Sequence, residues 1–112
     1  MQVTTQLINV ALTQPLTTGV SPAIDIQKFL FADIQVIFAV GNAVGTLTIE
    51  TSNDNVNFDM WPGSGIAFNA ASSTSHKWTL SLTSGKYVRV AVTNSSGTTG
   101  TIKILFLGKT FI

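Results

Sequence analysis

Thr46–Phe58 reads TLTIETSNDNVNF, and this stretch decides the fold. Leu47 and Ile49 alternate with Thr46, Thr48 and Glu50, the period of a strand with one buried face. Ser52-Asn53-Asp54-Asn55 then breaks the pattern. Short polar side chains of this kind bond their own backbone and tolerate the left-handed conformation, so the segment reads as a tight turn. Val56, Phe58 and Trp61 restart the apolar signal and are expected to return the chain to the core.

The same alternation recurs on both sides of this unit. Upstream, Phe29–Val40 sets Ile34, Val36, Phe38 and Val40 on one face and Asp33, Gln35, Ile37 and Ala39 on the other. Such a strand suits a sheet centre, or a sheet whose outer face is also covered. A one-residue slip of register would exchange its two faces. A helix is a poor reading, because β-branched residues dominate and no capping box precedes the run.

Downstream, Lys77–Thr83 points Trp78, Leu80 and Leu82 inward. Ser84-Gly85 turns the chain into Lys86–Asn94, with Val88, Val90 and Val92 on one face and Tyr87, Arg89, Ala91 and Thr93 on the other. Asn94–Gly100 is a glycine-bearing hairpin loop, and Thr101–Lys109 closes the fold with Ile102, Ile104 and Phe106 opposite Lys103, Leu105 and Leu107. Val3–Thr13 is a first strand, Gln14–Pro22 a loop or irregular edge, and Ala23–Ile26 and Ile66–Phe68 are brief strands. About eight short strands at such spacing predict a single all-β domain over residues 1–112, an antiparallel, jelly-roll-like sandwich. Ile34, Val36, Phe38, Leu47, Ile49, Trp78, Leu80, Val88, Val90, Ile102 and Ile104 are the expected core.

Composition narrows the chemistry. Cys is absent, so neither disulfides nor thiolate metal sites are available. Charged residues are 10% of the chain against about 25% in ordinary domains, and the net charge is +1 with no basic run. Nucleic-acid binding therefore has little electrostatic footing. No stretch approaches the ~20 apolar residues of a membrane span, and the N-terminus does not read as a secretory signal. The expected product is soluble and made in a cytoplasm.

Candidate sites are few. His76 is the lone histidine, and its residue context reads as an exposed loop position rather than a general base. No Gly-x-Ser-x-Gly elbow occurs, and the carboxylates Asp25, Asp33, Glu50, Asp54 and Asp59 are scattered rather than paired. Asp54 and Asp59 with Asn53, Asn55 and Asn57 offer oxygens for Ca²⁺, but the spacing is not that of an EF-hand loop, and a structural turn without metal is expected. Trp61, Trp78, Tyr87 and Phe68 are the aromatics from which a sugar platform would be built, but Trp78 is in register with the core, and Trp61, beside Pro62 and Gly63, reads first as a core-capping aromatic and second as a partly exposed ring. Arg89 has Glu50 or Asp33 as its prospective partner.

Ser52-Asn53-Asp54-Asn55-Val56-Asn57-Phe58 resembles the SNDG-x-NW turn of small β-sandwich virion proteins of tailed phages. Lys86-Tyr87-Val88-Arg89-Val90 is similar to the KYVRV strand that follows in them, and Gly97–Gly108 to their closing hairpin. Here Asn55 stands for the usual Gly and Phe58 for the usual Trp. The resemblance implies a non-enzymatic virion component, such as a capsid decoration, spike or tail-associated protein. Such a protein works by assembly with itself and other virion proteins, without a cofactor. A glycan-binding jelly roll, reading a host-surface sugar through Trp61 and Tyr87, is the alternative. The low charge content and the second apolar face of two strands add an expectation of their own. Ile37, Leu105 and Leu107, continued by Phe111 and Ile112, should be covered by neighbouring subunits, with a trimer the first choice of symmetry.

Overall fold

In the computed structural model, the strand that opens this reading is β5, Val44–Ser52, and its Leu47 and Ile49 are fully buried. The structure describes residues 3–27, 29, 31–80 and 86–111, with side chains from residue 12 to residue 108. Ten strands form among them: β1 (Val3–Pro15), β2 (Gly19–Val20), β3 (Ile24–Asp25), β4 (Phe31–Phe38), β5, β6 (Asp59–Met60), β7 (Ile66–Asn69), β8 (Ser75–Leu80), β9 (Tyr87–Ser96) and β10 (Thr101–Phe111). No helix long and apolar enough to cross a membrane occurs among the described residues.

The strands make two antiparallel sheets. One is four-stranded, in the order β1-β10-β4-β8; the other runs β2-β9-β5-β6, with β3 also on β9 and β7 also on β5. The pairings are nested: β1 with β10, β2 and β3 with β9, β4 with β8, and β5 with β6 and β7. One long hairpin rolled across two sheets gives this pattern, which is the jelly-roll topology. The inner faces supply the core: Ile34 and Val36 from β4, Leu47 and Ile49 from β5, Trp78 and Leu80 from β8, Val88, Val90 and Val92 from β9, and Ile102, Ile104 and Phe106 from β10. Gly108 is part of this packing, because the Phe29 ring lies where a β-carbon would stand and meets Phe106 edge-on at 6.2 Å.

Several expectations are corrected. β4 ends at Phe38, and Val40 is 89% exposed instead of continuing the buried face. Ala39 donates its N–H to Thr101, after which the chain turns away. Phe38 is half-buried, stacked on Phe68 at 5.8 Å at the core's margin. Of the two readings of Gln14–Pro22, the irregular edge is the one found: β1 reaches Pro15, β2 pairs Gly19 and Val20 with Val92 and Ala91 at the rim of its sheet, and Leu16 is buried between them. Val56 does not return to the core; it is 77% exposed. His76 is not in a loop but in β8, half-buried, with its ring edge-on to Trp78 at 4.7 Å. The turn read at Ser84-Gly85, and residues 81–83 at the end of the strand read at Lys77–Thr83, lie outside the described residues.

The turn after β5 explains where Val56 goes. The Ser52 hydroxyl accepts the N–H groups of Asp54 and Asn55 and donates to Asp54 Oδ1. Asp54 Oδ1 also accepts the N–H groups of Val56 and Asn57. Asn55 sits at φ 61°, the left-handed conformation that Asn tolerates and β-branched residues do not. This explains how Asn occupies the position where the similar turns carry Gly.

Candidate interaction face

Directly opposed residues in an antiparallel sheet share a face, so the ladder registers define the outer surfaces. On the four-stranded sheet, one row is Thr13, Lys103, Ile37 and Ser75. The next holds Leu105, Gln35 and Lys77, and the third Leu107, Asp33 and Thr79. Ile37, Leu105 and Leu107 thus fall on one face, away from the core. Ile37 is 39% exposed, and the two leucines are half-buried. A shallow depression of about 260 Å³ opens here, walled by Asp33, Gln35, Lys77, Leu105 and Leu107 with Phe106 at its floor. Asp33 is buried and accepts a 2.8 Å hydrogen bond from the Thr79 hydroxyl, so it does not pair with Arg89. Phe111 ends β10 opposite Val3, and its side chain, like the whole of Ile112, lies outside the described set.

The outer face of the six-stranded sheet is built around an ion pair. Arg89 and Glu50 are opposed in the β9–β5 register, and Arg89 Nε lies 2.7 Å from Glu50 Oε1. The guanidinium also sits 3.8 Å from the centre of the Phe58 ring, holding the turn down on the sheet. Met60, opposite Glu50, and Val20, opposite Ala91, extend this face; they are 55% and 44% exposed.

The prospective sugar-binding aromatics are dispersed. Trp61 packs against the core, whereas Tyr87 lies on the outer face, where its hydroxyl meets Gln27 at 3.4 Å. The two rings therefore stand on opposite sides of the six-stranded sheet. Phe68 and Trp78 are core residues at 3% and 6% exposure.

Among the described residues, no group of three or more His, Asp and Glu gathers in a metal-binding arrangement. Both oxygens of Asp54 are engaged by protein donors, Oδ2 by Asn57 Nδ2 at 2.7 Å. These bonds, the Asn57 and Val56 N–H groups foremost, hold the Asp54 carboxyl well below the usual carboxylate range.

Sequence reasoning passed over one buried polar device. Ile49 has its N–H and C=O directed at the gap between β6 and β7, where no strand continues. The Ser64 hydroxyl accepts the N–H at 3.0 Å, and the Trp61 N–H donates to the C=O at 2.8 Å. The indole of Trp78 donates to the Ser64 carbonyl at 2.9 Å. The signal was a lone Ser within Pro62-Gly63-Ser64-Gly65, which reads from sequence as a simple chain break.

The fold and its faces define a small jelly-roll sandwich with chemically mixed outer surfaces. No protein-family model matches the chain, and no curated protein matches it. Among solved structures, it is similar in fold to the SPBc2 prophage-derived protein YomS. The TM-score is 0.55 at 13% identity, over 97% of this chain and 94% of that one. It is also similar to a chain from the Bacillus endospore appendages that form a family of disulfide-linked pili. There the TM-score is 0.53 at 15% identity, over 95% of this chain and 87% of that one. At such identities the likeness is one of fold.

Proposed function

We propose that this chain is a non-enzymatic structural subunit of a phage virion, of the capsid-decoration, spike or tail-associated type. It acts by packing copies against one another and against other virion proteins, a trimer being the favoured assembly. The observation that carries this reading is the gathering of Ile37, Leu105 and Leu107 on one outer sheet face. A lone sandwich presents polar residues there, so a covering protein surface accounts for the pattern. The fold neighbours support the reading: one is prophage-derived and the other forms pili. The pili are disulfide-linked, whereas this chain has no Cys, so its contacts would be non-covalent. A specific contact of this kind buries roughly 1,000 Å² or more.

Sedimentation velocity at micromolar concentration, beside co-sedimentation with purified particles, tests the proposal. The wild type is expected to associate, and Leu105→Lys to shift it toward monomer. A wild type that stays monomeric and binds no particle would overturn the reading. Retention on a glycan array, lost in Tyr87→Ala, would favour the carbohydrate-binding alternative instead.

A further inference from the structure

The two outer faces differ in charge. Among the described side chains, the four-stranded face carries the exposed ammonium groups Lys77 and Lys103, and its one carboxylate, Asp33, is buried and bonded to Thr79. The six-stranded face carries exposed Asp25, opposite Tyr87, and the turn at its end carries exposed Asp54, with Lys86 exposed nearby. Glu50 and Arg89 answer each other within that face. Each face also has apolar content of its own. The four-stranded face has a depression beside Leu105 and Leu107, and the six-stranded face has a protruding side chain, Met60, 55% exposed.

These differences bear on how copies meet. A two-fold contact would set the four-stranded face on its own counterpart. Lys77 and Lys103 of both copies would then share one patch with no exposed carboxylate to answer them, and like charges brought together in a contact disfavour it. The opposite face supplies what is lacking, both the acidic groups and a side chain to fill the depression.

We propose that the contact between copies is heterologous: the four-stranded face of one copy packs on the six-stranded face of the next, with Met60 entering the depression between Gln35, Leu105 and Leu107. Lys77 and Lys103 then face the acidic side of the next copy, where Asp25 and Asp54 are exposed. This rests on the assembly reading above and specifies its partner as a second copy presenting a different surface. Repetition of such a contact closes a ring, of which a trimer is the smallest, or runs on as an open filament.

The test uses Ile37→Lys on the four-stranded face and Met60→Lys on the six-stranded face. Both positions are exposed, so near-ultraviolet circular dichroism should match the wild type. Each variant alone is expected to sediment as a monomer under conditions where the wild type assembles. Mixed in equal amounts, they should form a 1:1 complex and nothing larger, since each keeps the face its partner lacks. If Met60→Lys assembles like the wild type while Ile37→Lys does not, the contact is isologous; this inference fails and the assembly reading stands. A mixture that stays monomeric, or two variants that both assemble normally, also overturns it. A wild type that is monomeric and bound to no particle removes both.

Discussion

Replacing Ser64 by Ala removes one oxygen, and the structure says which bond cannot be replaced. Ser64 is 1% exposed, and its hydroxyl accepts the Ile49 N–H at 3.0 Å while donating weakly to the Ile49 C=O at 3.3 Å. The carbonyl keeps its 2.8 Å bond from the Trp61 N–H after substitution. The N–H keeps nothing, because β6 begins its ladder at Glu50 and β7 ends at Leu47. An unsatisfied buried donor costs about 1–3 kcal/mol. At roughly 4 °C per kcal/mol for a domain near this size, the melting temperature should fall by about 4–12 °C. Urea unfolding is the assay: the midpoint should drop with the slope unchanged, the mark of altered native stability.

Ser73→Ala is the control, because Ser73 accepts the Asn69 N–H at 3.0 Å in an exposed bond that water can replace. Its expected loss is under ~0.5 kcal/mol. Equal losses at the two serines, or a Ser64→Ala loss below ~0.5 kcal/mol, would refute the claim that burial of the Ile49 N–H sets the cost.

Gly97→Ala should cost at least ~2 kcal/mol in urea unfolding or prevent folding, since Gly97 has φ 83° and an added β-carbon collides with the Asn42 carbonyl. Asp54 gives a pH dependence of definite sign. Its folded carboxyl is held below the ordinary aspartate value of about 3.9, so its contribution is present above that value and is lost as pH falls through the lowered one. Urea midpoints measured from pH 6 down to pH 2 should fall less steeply for Asp54→Ala than for the wild type. Arg89→Met removes an ion pair and a ring contact from a side chain 25% exposed, so the loss should be about 1 kcal/mol. Part of that difference should vanish in 1 M NaCl, which screens the pair.

β5, β9 and β10 were legible because one face of each is buried along its described side chains. Alternation at Leu47 and Ile49, at Val88, Val90 and Val92, and at Ile102, Ile104 and Phe106 survives in the structure as alternating burial. The shortest strands leave little trace: β2 and β6 are too short for a period and are defined by their partners, whereas β3 falls within the brief strand read at Ala23–Ile26. Val56 misled because its apolar side chain follows a residue whose left-handed backbone points the chain outward. His76 was ambiguous for a different reason. It follows Asn69–Ser75, a small and polar run whose composition matches that of a loop, and the alternation of apolar residues begins only at Trp78. The candidate face was readable in part. Ile37, Leu105 and Leu107 follow from counting along two strands, but their neighbourhood depends on the β10–β4 register, which pairs residues far apart in sequence.

That nesting of pairs has a kinetic side. In a rolled hairpin the tightest loop encloses β5, β6 and β7, and each further pair joins segments more distant along the chain, ending with β1 on β10. Closing long loops costs entropy before any contact repays it, so domains of this topology fold in milliseconds to seconds. Until β1 arrives, β10 is an unpaired edge beside β4, carrying Ile102, Ile104 and Phe106. A newly made chain at high concentration would be most prone to wrong pairing at that strand, so the segment that completes the fold also guards it.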